Sequence, residues 1–242
     1  MTKTTFGHLA DSPSLTANDT YADYPVWTHT LALPPKALMG STGTYELQYF
    51  LLAGHLASQL IGHFLKPDAT VLDIGCGCGK IARFLVHDRF VARYVGFDVL
   101  KLCVDWSNQH LAPATDGRFT FHHADLFNAE YNPHGTLQAQ EFRFPAMDAS
   151  IDLTFAGSLF THLLEPDCRH YLRETARVLK PGGIAIISLH IEPPAGVRYS
   201  GNEARIDVDM DYFVELGNAA GLKLKERPGD LVGQEIVVFE RA

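Results

Sequence analysis

Apolar residues along the chain fall into two kinds of segment, short continuous runs and longer stretches in which they recur every three or four positions. The short runs predict buried strands, and the longer spacing predicts helices. The predicted strands cover residues 71–74, 93–98, 118–122, 150–158, 184–190, 222–226 and 234–240. The predicted helices cover residues 44–65, 80–86, 100–110, 166–179 and 210–220. Only the last two strands follow each other without a helix or a long connection, so we expect a doubly wound α/β sheet that is parallel except for its last strand.

Two polar, irregular segments interrupt this alternation, near residues 126–147 and 191–208. Irregular segments of this length in a compact domain are usually functional, and we expect these two to build a binding pocket. Residues 1–66 are predicted to form an N-terminal arm and a cap helix, because the first forty residues are rich in Thr, Ser, Asp and Pro. Residues 67–242 are predicted to form the main domain.

Composition narrows the class of partner. The formal net charge is −8, without a basic stretch, so we expect a small-molecule partner and no nucleic acid. No apolar run approaches the roughly 20 residues that cross a bilayer, and the N-terminus lacks a signal-peptide pattern, so we expect a cytoplasmic protein without a membrane partner. The four cysteines contain no C-x-x-C pair, and we expect no metal site. The oligomeric state stays open, with a homodimer among the options.

The stretch from Asp73 to Lys80 carries the clearest chemical signal. It reads Asp-Ile-Gly-Cys-Gly-Cys-Gly-Lys between a predicted strand and a predicted helix. Glycines at such a turn permit positive φ angles and let a ligand approach the backbone, so the turn is typical of a nucleotide or carboxylate cradle. A dinucleotide fingerprint would need glycine at Lys80, and a phosphate-binding loop would need Ser or Thr at Ile81. Neither motif fits.

Four further segments add to the chemical signal of this turn. Asp98 ends the second predicted strand and Asp125 follows the third. Residues 155–164 follow the fourth strand, and residues 177–183 read Arg-Val-Leu-Lys-Pro-Gly-Gly. Together with the turn they resemble the class I S-adenosylmethionine-dependent methyltransferases, and the resemblance covers residues 68–240. It implies a Rossmann-like seven-stranded sheet with the last strand antiparallel, and S-adenosylmethionine as the cofactor.

The resemblance also assigns roles to single residues. Asp73 would face the cationic methionine end of the cofactor, Asp98 would take both ribose hydroxyls, and Asp125 would accept a hydrogen bond from the adenine amino group. The implied cofactor-binding residues are Asp73, Gly75, Cys76, Gly77, Asp98, Val99, Asp125, Leu126, Phe155 and Ala156.

Methyl transfer needs a base when the acceptor is a hydroxyl or a protonated amine, and histidine titrates closest to neutrality. His162 and His190 follow the fourth and fifth strands, at the sheet edge where ligands bind in this fold class. They are the candidate catalytic residues, and each also fits a packing role. The predicted activity is transfer of a methyl group to a hydroxyl or amine of a small metabolite.

Two other functions remain open at this point. One is a non-catalytic module that binds S-adenosylmethionine or S-adenosylhomocysteine. The other is a nicotinamide-dependent oxidoreductase on the same type of fold, which Lys80 disfavours.

Overall fold

A computed structural model describes residues 31–242, and most of the predicted N-terminal arm, residues 1–30, lies outside the described residues. The described strands are β1 (Ala69–Ile74), β2 (Val91–Asp98), β3 (Phe119–His123), β4 (Ile151–Ala156), β5 (Leu179–Leu189), β6 (Tyr199–Asn202), β7 (Arg205–Val208), β8 (Leu222–Leu231) and β9 (Gln234–Arg241). The α-helices are α1 (Lys36–Gly40), α2 (Leu47–Phe64), α3 (Ala82–Leu85), α4 (Lys101–His110), α5 (Glu165–Val178) and α6 (Met210–Ala219).

Seven strands form one sheet in the order β3-β2-β1-β4-β5-β9-β8. The strands β1 to β5 pair in parallel, whereas β9 is antiparallel to both β5 and β8. The predicted sheet, parallel except for its last strand, is therefore confirmed. The strand order reverses between β1 and β4, and this reversal opens a crevice at the carboxyl ends of those two strands.

The sheet is covered on both faces. Buried residues of α2, α3 and α4 form one apolar cluster with one side of the sheet, and buried residues of α5 and α6 form a second cluster with the other side. The cap helix α2 packs closely on the segment after the glycine turn. A Cβ at Gly54 would lie 2.3 Å from the carbonyl oxygen of Lys80, so a larger side chain would push this helix away.

Several elements differ from the sequence prediction. The helix expected at residues 80–86 is only the four-residue α3. The irregular segment at 191–208 contains the antiparallel hairpin β6-β7. The strand predicted at 222–226 is longer than expected, because β8 continues to Leu231 and the turn before β9 lies at Val232 and Gly233. Asp230 lies just before that turn and stabilises it, because its Oδ1 accepts a hydrogen bond from the Gly233 amide at 2.9 Å.

Candidate functional site

A cavity of about 180 Å³ opens at the carboxyl ends of β1, β2 and β4, where the strand order reverses. Its wall combines the glycine turn, both irregular segments and the stretch before α2. The lining residues are Ser41, Thr42, Gly43, Gly75, Cys76, Gly77, Lys80, Ile81, Asp98, Val99, Leu100, Leu126, Phe127, Asn128, Tyr131, Ala139, Gly157, Ser158, Leu159, His162, Leu163, Asp167, Tyr171 and Glu203.

The glycine turn forms the floor of this cavity. Gly75, Gly77 and Gly79 all have positive φ angles, of 80°, 50° and 71°. A Cβ at Gly77 would lie 2.6 Å from Cγ2 of Thr42, so this glycine lets the 41–43 segment close over the turn. The Lys80 ammonium fastens the same segment by donating a hydrogen bond to the Thr42 carbonyl at 3.0 Å.

Asp98 joins the turn to the next strand. Its carboxylate accepts hydrogen bonds from the Gly77 amide at 2.7 Å and the Leu100 amide at 2.8 Å. Burial raises the pKa of Asp98, and the backbone amides oppose that shift by stabilising the charged form. The side chain is 9% exposed and lines the cavity, so a carboxylate stands where a ligand with hydroxyl donors would meet it.

Asp73 lies behind the turn and is not among the cavity-lining residues, and its assignment to the cationic end of the cofactor stays a prediction. It is 1% exposed, and its Oδ2 accepts a hydrogen bond from the Tyr94 hydroxyl on β2. Its Oδ1 has no hydrogen-bond partner. Burial, opposed by the Tyr94 hydrogen bond, raises the pKa of Asp73 to about 7. A buried carboxyl oxygen without a partner is a place where a cationic ligand group would be stabilised.

This raised pKa predicts a pH-dependent stability. The folded carboxyl binds its proton up to about pH 7, whereas the unfolded carboxyl releases it near its ordinary pKa of 3.8. Stability therefore falls as the pH rises from about 4 to about 7, by on the order of 1.4 kcal/mol for each unit that separates the two pKa values. Asp73→Asn cannot release a proton, and urea unfolding of both proteins at several pH values measures the difference. A difference that does not change with pH would mean that the folded carboxyl is ionised like the unfolded one.

Asp125 is also absent from the cavity wall. Its carboxylate accepts hydrogen bonds from Thr136 Oγ1 at 2.6 Å and Asn132 Nδ2 at 3.4 Å, which turn it toward the 126–147 segment. Phe155 and Ala156 are buried at the end of β4 and do not line the cavity either. Gly75, Cys76, Gly77, Asp98, Val99 and Leu126 do line it, and their assignment to the cofactor stays a prediction.

The two candidate histidines occupy different environments. His162 lines the cavity, with its Nδ1 2.8 Å from the carbonyl oxygen of Glu203 and its Nε2 3.2 Å from the Tyr131 hydroxyl. His190 does not line the cavity. Its backbone forms an isolated β-bridge with Asp207 of β7, and burial and the nearby Arg205 lower the pKa of its imidazole. Of the two, only His162 is placed to meet a ligand.

Several cavity residues have no signal in the sequence. Thr42, Asp167 and Glu203 reach the wall from three segments that contain no recognisable motif. Their placement depends on contacts between distant segments, such as the hydrogen bond from the Ala129 amide to Glu203 Oε2 at 2.7 Å. No pattern of neighbouring residues encodes such contacts.

Known proteins share both the sequence motifs and the fold. Residues 72–187 match the family model of the methyltransferase domain. The chain is 31% identical over 146 residues to the 27-O-demethylrifamycin SV methyltransferase of Amycolatopsis mediterranei, covering 58% of this chain and 46% of that protein. It is 32% identical over 125 residues to the 2-methyl-6-phytyl-1,4-hydroquinone methyltransferase of Synechocystis, covering 51% of this chain and 33% of that protein.

Solved structures agree on the architecture. A TehB-like S-adenosylmethionine-dependent methyltransferase from Corynebacterium glutamicum superposes with a TM-score of 0.56 at 18% identity, covering 84% of this chain and 92% of that one. This likeness shows a Rossmann-like fold. The chain is similar to methyltransferases, through the match of residues 72–187 to the methyltransferase domain and through both curated relatives. It spans less than half the length of the two curated relatives.

The described residues fit S-adenosylmethionine, the cofactor that the resemblance implies. Gly75 and Gly77 line the cavity with positive φ angles, and the buried Asp73 next to the turn has a carboxyl oxygen without a hydrogen-bond partner. Between residues 31 and 242, no three His, Cys, Asp or Glu residues form a group suited to a metal ion. Within the same range, no helix has the length and apolar character needed to cross a membrane.

Proposed function

We propose that this protein transfers a methyl group from S-adenosylmethionine to a hydroxyl of a small metabolite, with His162 taking up the proton that the acceptor loses. The observation that carries the proposal is one shared cavity, which holds the glycine turn, Asp98 and the imidazole of His162. The names of the two curated relatives support a small-molecule acceptor, and one of them specifies an oxygen as the methylated atom.

The cofactor supplies an electrophilic methyl group bound to sulfur. In this proposal, Gly75 and Gly77 leave room for the cofactor next to the backbone of the turn. Asp98 binds the ribose of the cofactor, and Val99 lies against its adenine. The unpartnered oxygen of Asp73 supports the cationic end from behind the turn. The remaining task for the protein is to hold the acceptor in line with the methyl group, which is where most of the rate gain in such displacements arises.

Binding and transfer are tested separately. Calorimetric titration with S-adenosylmethionine and S-adenosylhomocysteine measures binding, and incubation with methyl-labelled cofactor and a cell extract detects transfer. Label moving into a small organic product supports the proposal. Tight binding without any label transfer would favour a module that only binds the cofactor, and absence of binding would remove the proposal altogether.

The histidine assignment predicts unequal effects at two positions. His162→Gln should slow label transfer by about a hundredfold, the usual scale for losing a general base, while cofactor affinity changes little. His190→Gln is the matched control, because His190 lies outside the cavity wall, and it should transfer label at nearly the wild-type rate. Equal rates for both variants and the wild type would mean that transfer needs no histidine.

A further inference from the structure

The imidazole of His162 has a fixed orientation. Its Nδ1 lies 2.8 Å from the backbone carbonyl oxygen of Glu203. A carbonyl oxygen can only accept a hydrogen bond, so Nδ1 carries the proton and donates it. In the neutral ring, Nε2 is then left with a lone pair and can only accept.

Tyr131 is the hydrogen-bond partner of His162 Nε2. Its hydroxyl is 3.2 Å from His162 Nε2, and the two rings pack edge to face with centroids 5.1 Å apart. The backbone of Tyr131 is held by Asn128, whose Oδ1 accepts a hydrogen bond from the Tyr131 amide at 2.8 Å. Burial raises the pKa of Tyr131, so its hydroxyl keeps a proton to donate.

The direction of this chain of hydrogen bonds determines what a ligand must offer. The proton of Tyr131 is committed to His162, and the Nδ1 proton of His162 is committed to Glu203. The phenol oxygen therefore presents only lone pairs to the rest of the cavity. A ligand group that binds there must donate a hydrogen bond, as an unmethylated hydroxyl does and its methyl ether does not.

The charges and the apolar surface of the cavity wall further restrict the class of ligand. Of the described residues that line the cavity, Lys80 is the only Lys or Arg, and its ammonium is bound to the Thr42 carbonyl. Asp98 and Asp167 also line the wall, so a carboxylate or phosphate on the methyl acceptor would meet negative charge. The half-exposed Phe127 provides an apolar surface on the segment that carries Tyr131.

We propose that Tyr131 is a catalytic residue that receives the proton of an uncharged, phenol-type acceptor and passes its own proton to His162. The methyl-transfer step in this proposal rests on the proposed function. The preference of the cavity for a ligand that donates a hydrogen bond does not depend on it. In the step, the carbon–sulfur bond breaks with its electron pair left on sulfur, and a carbon–oxygen bond forms to the acceptor. The acceptor proton moves to the Tyr131 oxygen while the Tyr131 proton moves to Nε2, which leaves an imidazolium that still donates to Glu203.

The binding preference is tested with phenol and anisole, which share a ring and an oxygen but differ in the hydrogen-bond donor. Their dissociation constants are measured by nuclear magnetic resonance titration of the protein, alone and saturated with S-adenosylhomocysteine. Phenol should bind about fivefold to tenfold more tightly than anisole, the scale of one hydrogen bond. In Tyr131→Phe, which keeps the ring, this preference should disappear.

Tyr212→Phe is the matched control. It also removes a hydrogen-bonded phenol hydroxyl, because Tyr212 donates to Glu165 at 2.6 Å, but Tyr212 does not line the cavity. It should keep the preference for phenol. A preference that survives in Tyr131→Phe, equal binding of both probes to the wild type, or binding of neither probe would overturn the proposal.

The hydrogen-bond direction has its own readout in the ¹⁵N shifts of the His162 ring. The wild type at neutral pH should show a protonated Nδ1 and an unprotonated Nε2. The reverse assignment would overturn the proposal even if phenol binds. Failure of the proposed function would show instead as lack of S-adenosylmethionine binding or of label transfer, which neither the titration of the protein alone nor the ¹⁵N measurement uses.

Discussion

Gly77→Ala should lower the affinity for S-adenosylmethionine by about a hundredfold. The new Cβ would lie 2.6 Å from Cγ2 of Thr42, and the φ angle of 50° disfavours any residue with a side chain. The backbone conformation costs about 1–2 kcal/mol and overpacking about 1–3 kcal/mol. Relief requires moving the turn, which would also disturb the hydrogen bond from the Gly77 amide to Asp98. Calorimetric titration measures the affinity, and urea unfolding measures the stability.

Two further variants separate the backbone penalty at Gly77 from the steric contact with Thr42. Gly182→Ala carries the same backbone penalty, with a φ angle of 71°, but its Cβ would meet nothing within 4 Å and it lies outside the cavity wall. It should lose stability and keep cofactor affinity. Adding Thr42→Ser to Gly77→Ala removes Cγ2 and keeps the hydroxyl that bonds to the Met39 carbonyl, so part of the affinity should return. Wild-type affinity in Gly77→Ala would show that the turn is not the cofactor floor.

Asp98→Ala should weaken cofactor binding by about tenfold or more, because it removes the buried carboxylate that we propose accepts the ribose hydroxyls. The same carboxylate accepts hydrogen bonds from the amides of Gly77 and Leu100. The substitution should therefore also lower stability, and the two effects are read from titration and unfolding of the same sample. Asp98→Asn, which keeps one oxygen acceptor, should fall between alanine and the wild type.

Asp105→Ala provides a carboxylate control on the neighbouring helix. Asp105 is half exposed and pairs with Lys101 at 2.6 Å at the surface of α4. Its removal should change neither affinity nor stability much, since exposed ion pairs contribute little. Unchanged cofactor affinity in Asp98→Ala would contradict the assignment of Asp98 to the ribose.

The sequence predicted those parts of the fold that depend on neighbouring residues. A run of apolar residues ending in Asp73 or Asp98, followed by glycines or a helix, is read within a window of about ten residues, and both strand ends lie where the pattern places them. The antiparallel last strand follows from a short connection, which cannot join two parallel neighbours.

The sequence could not predict contacts between distant segments. The orientation of Asp73 depends on Tyr94, which lies 21 positions further along the chain on the next strand. The hydrogen bonds of His162 depend on Tyr131 and Glu203, 31 and 41 positions away. The late turn at Val232 runs against propensity, because a β-branched residue there has a φ angle of 58°.

The partner that orients His162 belongs to the main chain at Glu203, in the two-residue connection between β6 and β7. Every amino acid carries the same carbonyl, so replacing the side chain at position 203 leaves that acceptor in the chain. Inserting or deleting one residue in the hairpin would move it. A substitution at position 203 removes the side-chain hydrogen bond with the Ala129 amide but should leave the orientation of His162 intact. A change in hairpin length should disturb that orientation, the opposite of what is usual for a surface hairpin.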